Sequence, residues 1–302
     1  MAAPLDVLRG LMLRVTRVLA PNPSPFTLEG TNTWVVGGDP SLVIDPGPNI
    51  PEHIVEVSRE ARPVGAVLVT HDHPDHAPGA ASFAAAVGAP LLAFRLNGAK
   101  PIRDRQVLRV GTVEAMLLHT PGHTADHVAV WVEDARALFT GDTVLGRGTS
   151  FIDPPEGDLA SYLASLRKML ELEARTIYPG HGPIVLDAQA KLREYLAHRS
   201  DREDQIVAAL GEGRRSVDEL VESIYAEYPA EVRPLAARSV LAHLRKLENE
   251  GRVERSAARE PRFELVTPRL CLRCGRRPAS ARTKYCGPCV AVLLQSRESA
   301  SE

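Results

Sequence analysis

The sequence predicts a mixed α+β fold, and three observations carry that prediction. Short apolar runs of strand length alternate with helical patterns through the first two thirds of the 302 residues. Several of these runs end in Gly- or Pro-rich turns that carry His or Asp. The last third changes to helical patterns followed by two closely spaced Cys pairs. A chain of this length forms one large domain with smaller additions, and we place the domains at 1–198, 199–267 and 268–302.

The composition is that of an ordinary globular protein, with 44% hydrophobic and 25% charged residues and a formal charge of −2. All four Cys lie between positions 271 and 289, whereas a disulfide-stapled secreted protein would spread them through the fold. No run of about 18 apolar residues predicts a membrane span. Residues 1–20 contain Arg and little acid, as a transit peptide does, but the alternation over 13–19 fits a first strand. We therefore expect a cytoplasmic protein with no membrane partner.

The elements of the first domain follow in chain order. Short strands are expected at 13–19, 33–36, 42–44, 64–69, 91–94, 113–118, 128–132, 137–139 and 176–178. An Ala-rich helix follows the strand at 64–69, and Gly88 is the expected cap that ends it. The two strands within 128–139 form a hairpin. Residues 159–170 show helical spacing of apolar side chains, with Asp158 as the expected N-cap.

The stretch 70–76 reads Thr-His-Asp-His-Pro-Asp-His and directly follows the buried strand. Neutral imidazoles and carboxylates are the ligands that catalytic divalent cations prefer. Three later strand ends add a His or an Asp in the motifs Pro-Gly-His-Thr, Thr-Gly-Asp and Pro-Gly-His-Gly. Loops at strand ends converge on one edge of a sheet, which disfavours the alternative of a His-rich surface turn. The metal-ligand candidates are His71, His73, Asp75, His76, His123, Asp142 and His181.

Together these motifs resemble the metallo-β-lactamase-fold hydrolase superfamily over roughly residues 13–198. The resemblance implies an αββα sandwich with two divalent cations, such as Zn²⁺, at one edge. His71, His73 and His123 would hold the first cation. Asp75, His76 and His181 would hold the second, and Asp142 would bridge the two. True β-lactamases usually carry a Cys at the position of Asp142, and no Cys precedes 271 here, which argues against β-lactam cleavage.

The chemistry expected of such a centre is hydrolysis. Two cations about 4 Å apart share one water and lower its pKa, so that a metal-bridging hydroxide is the nucleophile. Asp75 and Asp142 are the predicted catalytic residues, and Asp75 would orient the hydroxide or take its proton. Asp45 and Thr70 are candidates for hydrogen bonds to the ligand imidazoles, with turn capping as the alternative. His127 either supports the site or is a buried structural His.

Two branches of the superfamily compete for the substrate. The segments 27–33, 148–150 and 122–127 resemble the lactamase-β-like branch that includes single-strand-specific endoribonucleases. The other branch is the glyoxalase II type, which hydrolyses S-acyl-glutathione thioesters. Both reactions need an activated water and a stabilised oxyanion, so the first domain does not decide between them.

The residues after the first domain predict a second fold. Residues 187–210 predict a long helix, and 216–225 begin with Ser-x-x-Glu, which is a capping-box signature. A further helix at 235–250 ends at Gly251, and 252–265 then form a strand, a basic turn and a strand. This order resembles a winged-helix domain, which binds nucleic acid in some proteins and only protein or its own chain in others.

The C-terminal segment combines Cys and positive charge. Cys271, Cys274, Cys286 and Cys289 form two Cys-x-x-Cys pairs with the spacing of a structural zinc site. Unrelated thiols or a redox pair are the alternative. Residues 252–284 hold ten Lys or Arg against three Glu, a local charge of +7 that leaves about −9 for the remainder. This stretch predicts either a polyanion partner contacted through phosphates or a solvated surface.

We therefore expect a dinuclear metal-dependent hydrolase that acts as an endoribonuclease on single-stranded RNA. The first alternative is a glyoxalase-II-like thioesterase on a small acyl-thioester. The second is a non-catalytic nucleic-acid-binding scaffold, against which the complete ligand set argues. The expected cofactors are two Zn²⁺ or other divalent metals in the hydrolase site and one structural Zn²⁺ in the four-cysteine tail.

Overall fold

The computed structural model describes residues 13–61, 63–229 and 233–266. The chain divides into two compact units between Arg202 and Glu203. The domain boundaries given above stay predictions, and the four Cys of the predicted zinc tail lie outside the described residues. Within the described ranges, no helix has both the length and the apolar character that crossing a membrane requires.

Two sheets form the framework of the first unit. The strands of one are β1 (Val15–Leu19), β2 (Asn32–Gly37), β3 (Ser41–Ile44), β4 (Val64–Leu68), β5 (Leu91–Ala93) and β6 (Lys100–Pro101). Those of the other are β7 (Gln106–Val110), β8 (Val113–His119), β9 (Val128–Val132), β10 (Ala137–Gly141) and β11 (Thr176–Pro179). The first sheet keeps chain order from edge to edge, and the second runs β11-β10-β9-β8-β7. Strands β3, β4 and β5 are parallel to one another, as are β10 and β11.

The two sheets pack face to face through apolar side chains. Helices pack on the outer face of the first sheet, also through apolar side chains. The inner faces share a buried cluster that includes Ile44, Leu117 and Phe139. A second cluster, with Val57 and Phe83, packs two helices against the outer face of the first sheet. Both faces of β2 and β3 are therefore buried, so residues 34–36 and 42–44 within them are apolar without alternation. The helices of this unit are α1 (Pro51–Glu60), α2 (Ala80–Val87), α3 (Leu159–Leu170) and α4 (Ala188–Gly211), which continues past the unit boundary.

Single residues in the sequence predict where two of these helices begin or end. Gly88 ends α2 in the left-handed conformation, with φ of 68°. Asp158 caps α3, because its carboxylate accepts a hydrogen bond of 2.7 Å from the Ser161 amide. Both predictions are confirmed. No element was predicted at α1, which buries only His53 and Val57 and therefore has a weak apolar pattern.

The second unit has its own core and a small sheet. Its further elements are β12 (Arg215–Ser216), α5 (Val217–Ile224), α6 (Arg233–Asn249), β13 (Val253–Arg255) and β14 (Arg262–Leu265). Side chains such as Leu220, Leu244 and Phe263 form its buried cluster. The predicted capping box at Ser216 is confirmed. The wing was predicted with two strands and has three, in the order β12-β14-β13, because β12 pairs with β14.

Candidate metal centre

Four loops that follow strands meet at one edge of the two sheets. They follow β4, β8, β10 and β11, and they bring together all seven of the predicted ligand candidates. Backbone hydrogen bonds tie the loops to one another. The Thr70 carbonyl accepts from the Val128 amide at 2.8 Å, and the Gly141 carbonyl accepts from the Gly180 amide at 2.8 Å. Each loop is therefore positioned by a neighbouring loop as well as by its own strand.

The seven side chains form two groups of donor atoms. Within each group, one donor atom from every residue lies within 4.8 Å of all the others. The first group is His71, His73, His123 and Asp142, and the second is Asp75, His76 and His181. The grouping of the imidazoles is the one that the resemblance implied.

Asp142 lies between the two groups. Its Oδ2 is 3.8 Å from Nε2 of His123, in the first group, and 3.2 Å from Nε2 of His181, in the second. Its Oδ1 is 3.4 Å from Nε2 of His76. A carboxylate with oxygens near both groups can serve a cation in each, which is the geometry that a bridging ligand needs.

Hydrogen bonds at Nδ1 set the tautomers of four imidazoles. Nδ1 of His76 donates to Asp45 Oδ2 at 2.9 Å, and Nδ1 of His123 donates to the Phe151 carbonyl at 2.8 Å. Nδ1 of His181 donates to the Gly30 carbonyl at 3.2 Å. These partners are acceptors, so a ring that carries a single proton carries it on Nδ1 and keeps the lone pair of Nε2 for a cation.

The fourth imidazole, His71, is fixed through Thr70. The Thr70 hydroxyl donates to Asp45 Oδ2 at 2.7 Å and lies 3.0 Å from His71 Nδ1. Because the hydroxyl proton is donated to Asp45, the hydroxyl oxygen accepts a hydrogen bond from His71 Nδ1. The lone pair of His71 therefore lies on Nε2. Asp45 also accepts from the Thr70 amide at 2.7 Å. Asp45 and Thr70 therefore contact and orient ligand imidazoles, the role predicted for them, rather than only capping the turn.

The donor set fits divalent cations. The lone pair of His71 Nε2 faces Nδ1 of His73 at 2.9 Å, and Nε2 of His123 faces the same Nδ1 at 3.2 Å. One Nδ1 proton cannot satisfy both rings. In the described residues, Asp142 Oδ1 is buried and has no hydrogen-bond donor. Converging imidazole lone pairs and an unpaired carboxylate oxygen are the ligands that Zn²⁺ and similar ions coordinate.

The electrostatics of the centre also favour a cation. Burial opposes the charged form of His76, but the carboxylates of Asp142, Asp45 and Asp75 outweigh it and hold its pKa well above its usual value. Burial opposes ionisation of Asp142 as well, yet the charges of His181 and His76 hold the pKa of that carboxyl well below its usual range. The carboxylates are therefore ionised and draw positive charge to this edge of the fold.

His127 supports the centre from behind. It is fully buried, and its Nε2 accepts a hydrogen bond of 3.1 Å from the Asp142 backbone amide. Its ring stacks on His71 with 5.0 Å between ring centroids. Burial, followed by the charge of His123, lowers its pKa well below the usual value, so the ring is neutral. His127 therefore holds the Asp142 loop and lies behind the ligand side chains.

Three further side chains contact the site but were not singled out from the sequence. The Thr31 hydroxyl donates to Asp75 Oδ2 at 2.8 Å. The Ser150 hydroxyl donates to the Asp142 carbonyl at 2.5 Å, and the buried Arg199 guanidinium donates to the Ser150 carbonyl. Thr31 and Ser150 lie in segments that carried the family resemblance. Arg199 sits in a charged helical stretch that gives no sign of burial.

A close approach requires glycine at position 180. A Cβ built on Gly180 would lie 2.3 Å from Asp142 Oδ1 and 2.9 Å from His76 Cε1. Any side chain here would displace the central carboxylate, which explains the Gly that precedes His181 in the sequence.

A two-sheet framework that gathers imidazoles and carboxylates at one edge defines the class of metal-dependent hydrolases. Residues 26–181 match the Metallo-beta-lactamase superfamily, and residues 216–260 match the Beta-lactamase associated winged helix domain. The chain belongs to the metallo-beta-lactamase superfamily and is a hydrolase with a C-terminal winged-helix domain.

The chain is similar over most of its length to several other proteins. The chain is 34% identical to Beta-lactamase-like protein 2 homolog of Caenorhabditis elegans, over 83% of this chain and 88% of the relative. It is 36% identical to Atrochrysone carboxyl ACP thioesterase of Aspergillus chevalieri, over 83% of this chain and 86% of the relative. A metallo-beta-lactamase family protein of Thermus thermophilus shares the fold, with a TM-score of 0.70 and 22% identity over 83% of this chain and 98% of that one.

Proposed function

We propose that this protein hydrolyses acyl thioesters at a centre that holds two divalent cations, most simply Zn²⁺. The observation that supports the reaction is the pair of donor groups with Asp142 between them. The observation that favours thioesters over other substrates is the 36% identity, over 83% of the chain, to a relative named as an ACP thioesterase. Thioester hydrolysis was the first alternative to RNA cleavage in the sequence analysis, and it is now the favoured activity.

The residues would divide the work as follows. His71, His73 and His123 would hold one cation, Asp75, His76 and His181 the other, and Asp142 would serve both. Cations at such a site lower the pKa of water and polarise a carbonyl oxygen. Thr31 holds one carboxylate oxygen of Asp75, so the free oxygen is available to orient a water. Water adds to the thioester carbonyl, the C–S bond breaks, and a carboxylic acid and a thiol are released.

Cleavage of single-stranded RNA is the second candidate, and the basic C-terminal segment favours it. The described part of the second unit does not add to that charge. Its residues 203–229 and 233–266 contain ten Lys or Arg against twelve Asp or Glu. Nucleic-acid binding would therefore depend on residues 267–302, where seven Lys or Arg face two Glu.

A substrate panel separates the candidates. The zinc-loaded protein is incubated with an acyl phosphopantetheine thioester, with S-lactoylglutathione and with a single-stranded RNA, and D142A provides the background. We expect release of thiol from the carrier-type thioester that is absent in D142A. Cleavage of RNA without any thiol release would overturn the proposal in favour of the second candidate.

We also propose that Cys271, Cys274, Cys286 and Cys289 hold one structural Zn²⁺. Their paired spacing supports this site. Metal analysis of the full chain should give about three Zn²⁺ per protein, and about two in a variant with C271S and C274S. Equal zinc content in the two proteins would contradict a site in the tail.

A further inference from the structure

A cavity opens beside the second donor group. It has a volume of about 270 Å³ and is lined by Arg17, Leu19, Glu29, Asn32, Arg147, Gly182 and Pro183. We call it the Arg17 cavity. Ligand pockets usually measure about 300 to 1,000 Å³, so this one would hold part of a substrate and not the whole.

The Arg17 cavity adjoins the metal centre through consecutive residues. Asn32 follows Thr31, whose hydroxyl donates to Asp75 at 2.8 Å. Gly182 follows His181, and Thr31 and His181 are joined as partners in a short β-bridge. The wall of the cavity is thus the segment that fixes two side chains of the second donor group. One extended molecule could occupy both places.

The charges of the cavity favour an anion. Arg147 pairs with Glu29 at 2.7 Å, and this hydrogen bond, followed by smaller contributions that include the charge of Arg17, lowers the pKa of the Glu29 carboxyl. Glu29 is therefore ionised and neutralises one of the two guanidinium groups. Within the part of the chain that the structure describes, the side chain of Arg17 has no hydrogen bond or ion pair. The lining carries a net charge of +1, with the guanidinium donors of Arg17 unused.

One residue of the cavity lining has a buried acceptor without a donor. Asn32 is fully buried, and its Nδ2 donates to the carbonyls of Pro179 and Gly182, at 2.9 Å each. Both partners are acceptors, so the amide orientation is fixed and Oδ1 cannot exchange places with Nδ2. Asn32 Oδ1 is buried and has no hydrogen-bond donor among the described residues. A ligand donor that reached this oxygen would satisfy it.

We infer that the Arg17 cavity binds the phosphopantetheine arm of a carrier-linked acyl thioester. This inference rests on the proposed function. The arm carries a phosphate, which Arg17 and Arg147 would contact, and amide N–H groups, one of which would donate to Asn32 Oδ1. Its thiol end carries the acyl group that the metal centre hydrolyses. Leu19, which is 39% exposed, would contact the aliphatic part of the arm.

Two thioesters with the same acyl group test the role of the phosphate. One is the phosphopantetheine thioester, and the other is the pantetheine thioester, which lacks the phosphate. We compare kcat/KM for the two in the metal-loaded full-length protein, in R17Q and in E29Q. The ratio of the phosphorylated to the unphosphorylated substrate should fall about tenfold in R17Q, the scale of one charge-assisted hydrogen bond. It should rise in E29Q, which removes the negative charge and releases Arg147.

Arg14 provides the matched control. It is exposed, it precedes β1, and its odd spacing from Arg17 places it on the opposite face of the extended chain. R14Q should keep the wild-type ratio. Calorimetric binding of free phosphopantetheine, compared with pantetheine, gives a second measurement that does not depend on turnover and should show the same loss in R17Q.

The outcomes separate this inference from the proposed function. If no thioester is hydrolysed, the proposed function is wrong. If thioesters are hydrolysed and R17Q leaves the ratio and the binding unchanged, the cavity assignment alone is wrong. A loss in R17Q that appears only with single-stranded RNA would assign the cavity to an RNA phosphate and overturn the inference.

Discussion

The carboxylates of the two units have different partners. In the second unit, Glu203 accepts from Lys246 and Arg252 at 2.8 Å each, and Glu219 accepts from Arg262 at 2.6 Å. In the first unit, imidazole lone pairs face one another and Asp142 Oδ1 has no donor among the described residues. The second unit therefore satisfies its carboxylates with its own cations. In the metal centre the partners of the carboxylates are imidazoles, which can release a proton and coordinate a cation, and this is the mark of a binding site rather than of a structural ion pair.

The largest effect should come from the carboxylate that serves both groups. D142A removes the carboxylate whose oxygens lie near both donor groups, so we expect activity to fall about 10³-fold and at least one metal ion to be lost. Hydrolysis rates and elemental analysis measure the two effects. D134A, which removes an exposed acid in the β9–β10 turn, is the control. A D142A protein with full activity would contradict the contrast between the two units, since the metal centre would then not depend on the Asp142 carboxylate.

A smaller effect should come from Asp45. D45N keeps the shape of the side chain but removes the charge that faces His76 Nδ1, and we expect metal affinity to fall about 10- to 100-fold. Competition with a chromophoric chelator measures this affinity, and D134N is the control. Unchanged affinity would mean that Asp45 acts only as a turn cap, which was the alternative considered from the sequence.

Substitution of Arg199 tests whether its guanidinium helps to position Asp142 through Ser150. Its guanidinium lies over the Tyr162 ring at 5.4 Å and donates to the Ser150 carbonyl, with no carboxylate paired to it among the described residues. R199M should lower kcat by about tenfold, since one charge-assisted hydrogen bond is worth that much, and R199K should recover part of it. R193Q, on the exposed side of α4, should behave as wild type. Equal rates in R199M and R199K would argue for a purely packing role.

The smallest effect concerns the second unit. The contact of His243, whose Nδ1 lies 3.7 Å from Glu203 Oε2, followed by the contacts of Lys246 and Arg252, lowers the pKa of Glu203 to about 2. A lowered carboxyl pKa adds stability above the unfolded value of about 4.5, and this stability is lost as the pH falls through about 2. E203Q should cost this unit about 1 to 3 kcal/mol at pH 7 and flatten its pH dependence below about 4.5. Denaturant titrations of E203Q and of E260Q, a change at an exposed acid, measure the difference.

The sequence predicted much of the centre because its ligands lie in short motifs at strand ends. His71 to His76 share one loop, so their proximity follows from chain connectivity alone. The convergence of His123, Asp142 and His181 was predicted from their positions at strand ends, and the family resemblance divided the ligands between two cations. The hydrogen bonds of Thr31 and Arg199 could not be predicted, because both depend on which distant loops come into contact. Weakly patterned elements were missed for a different reason: α1 buries only two side chains, which is too few to show a period.

The backbone conformation of Asp45 has a consequence for stability. Its backbone has a φ of 49°, a left-handed conformation that a non-glycine residue adopts at a cost of about 1 kcal/mol. D45G would relieve this cost while removing the carboxylate that orients His76. The Thr70 amide, the Thr70 hydroxyl and Nδ1 of His76 would then lack their buried acceptor, at about 1 to 3 kcal/mol each, which exceeds the relief. Selection of variants for heat resistance, even in metal-free conditions, should therefore retain Asp at this position. The carboxylate that orients the imidazole also sustains the strained backbone, so fold stability and metal loading favour the same residue.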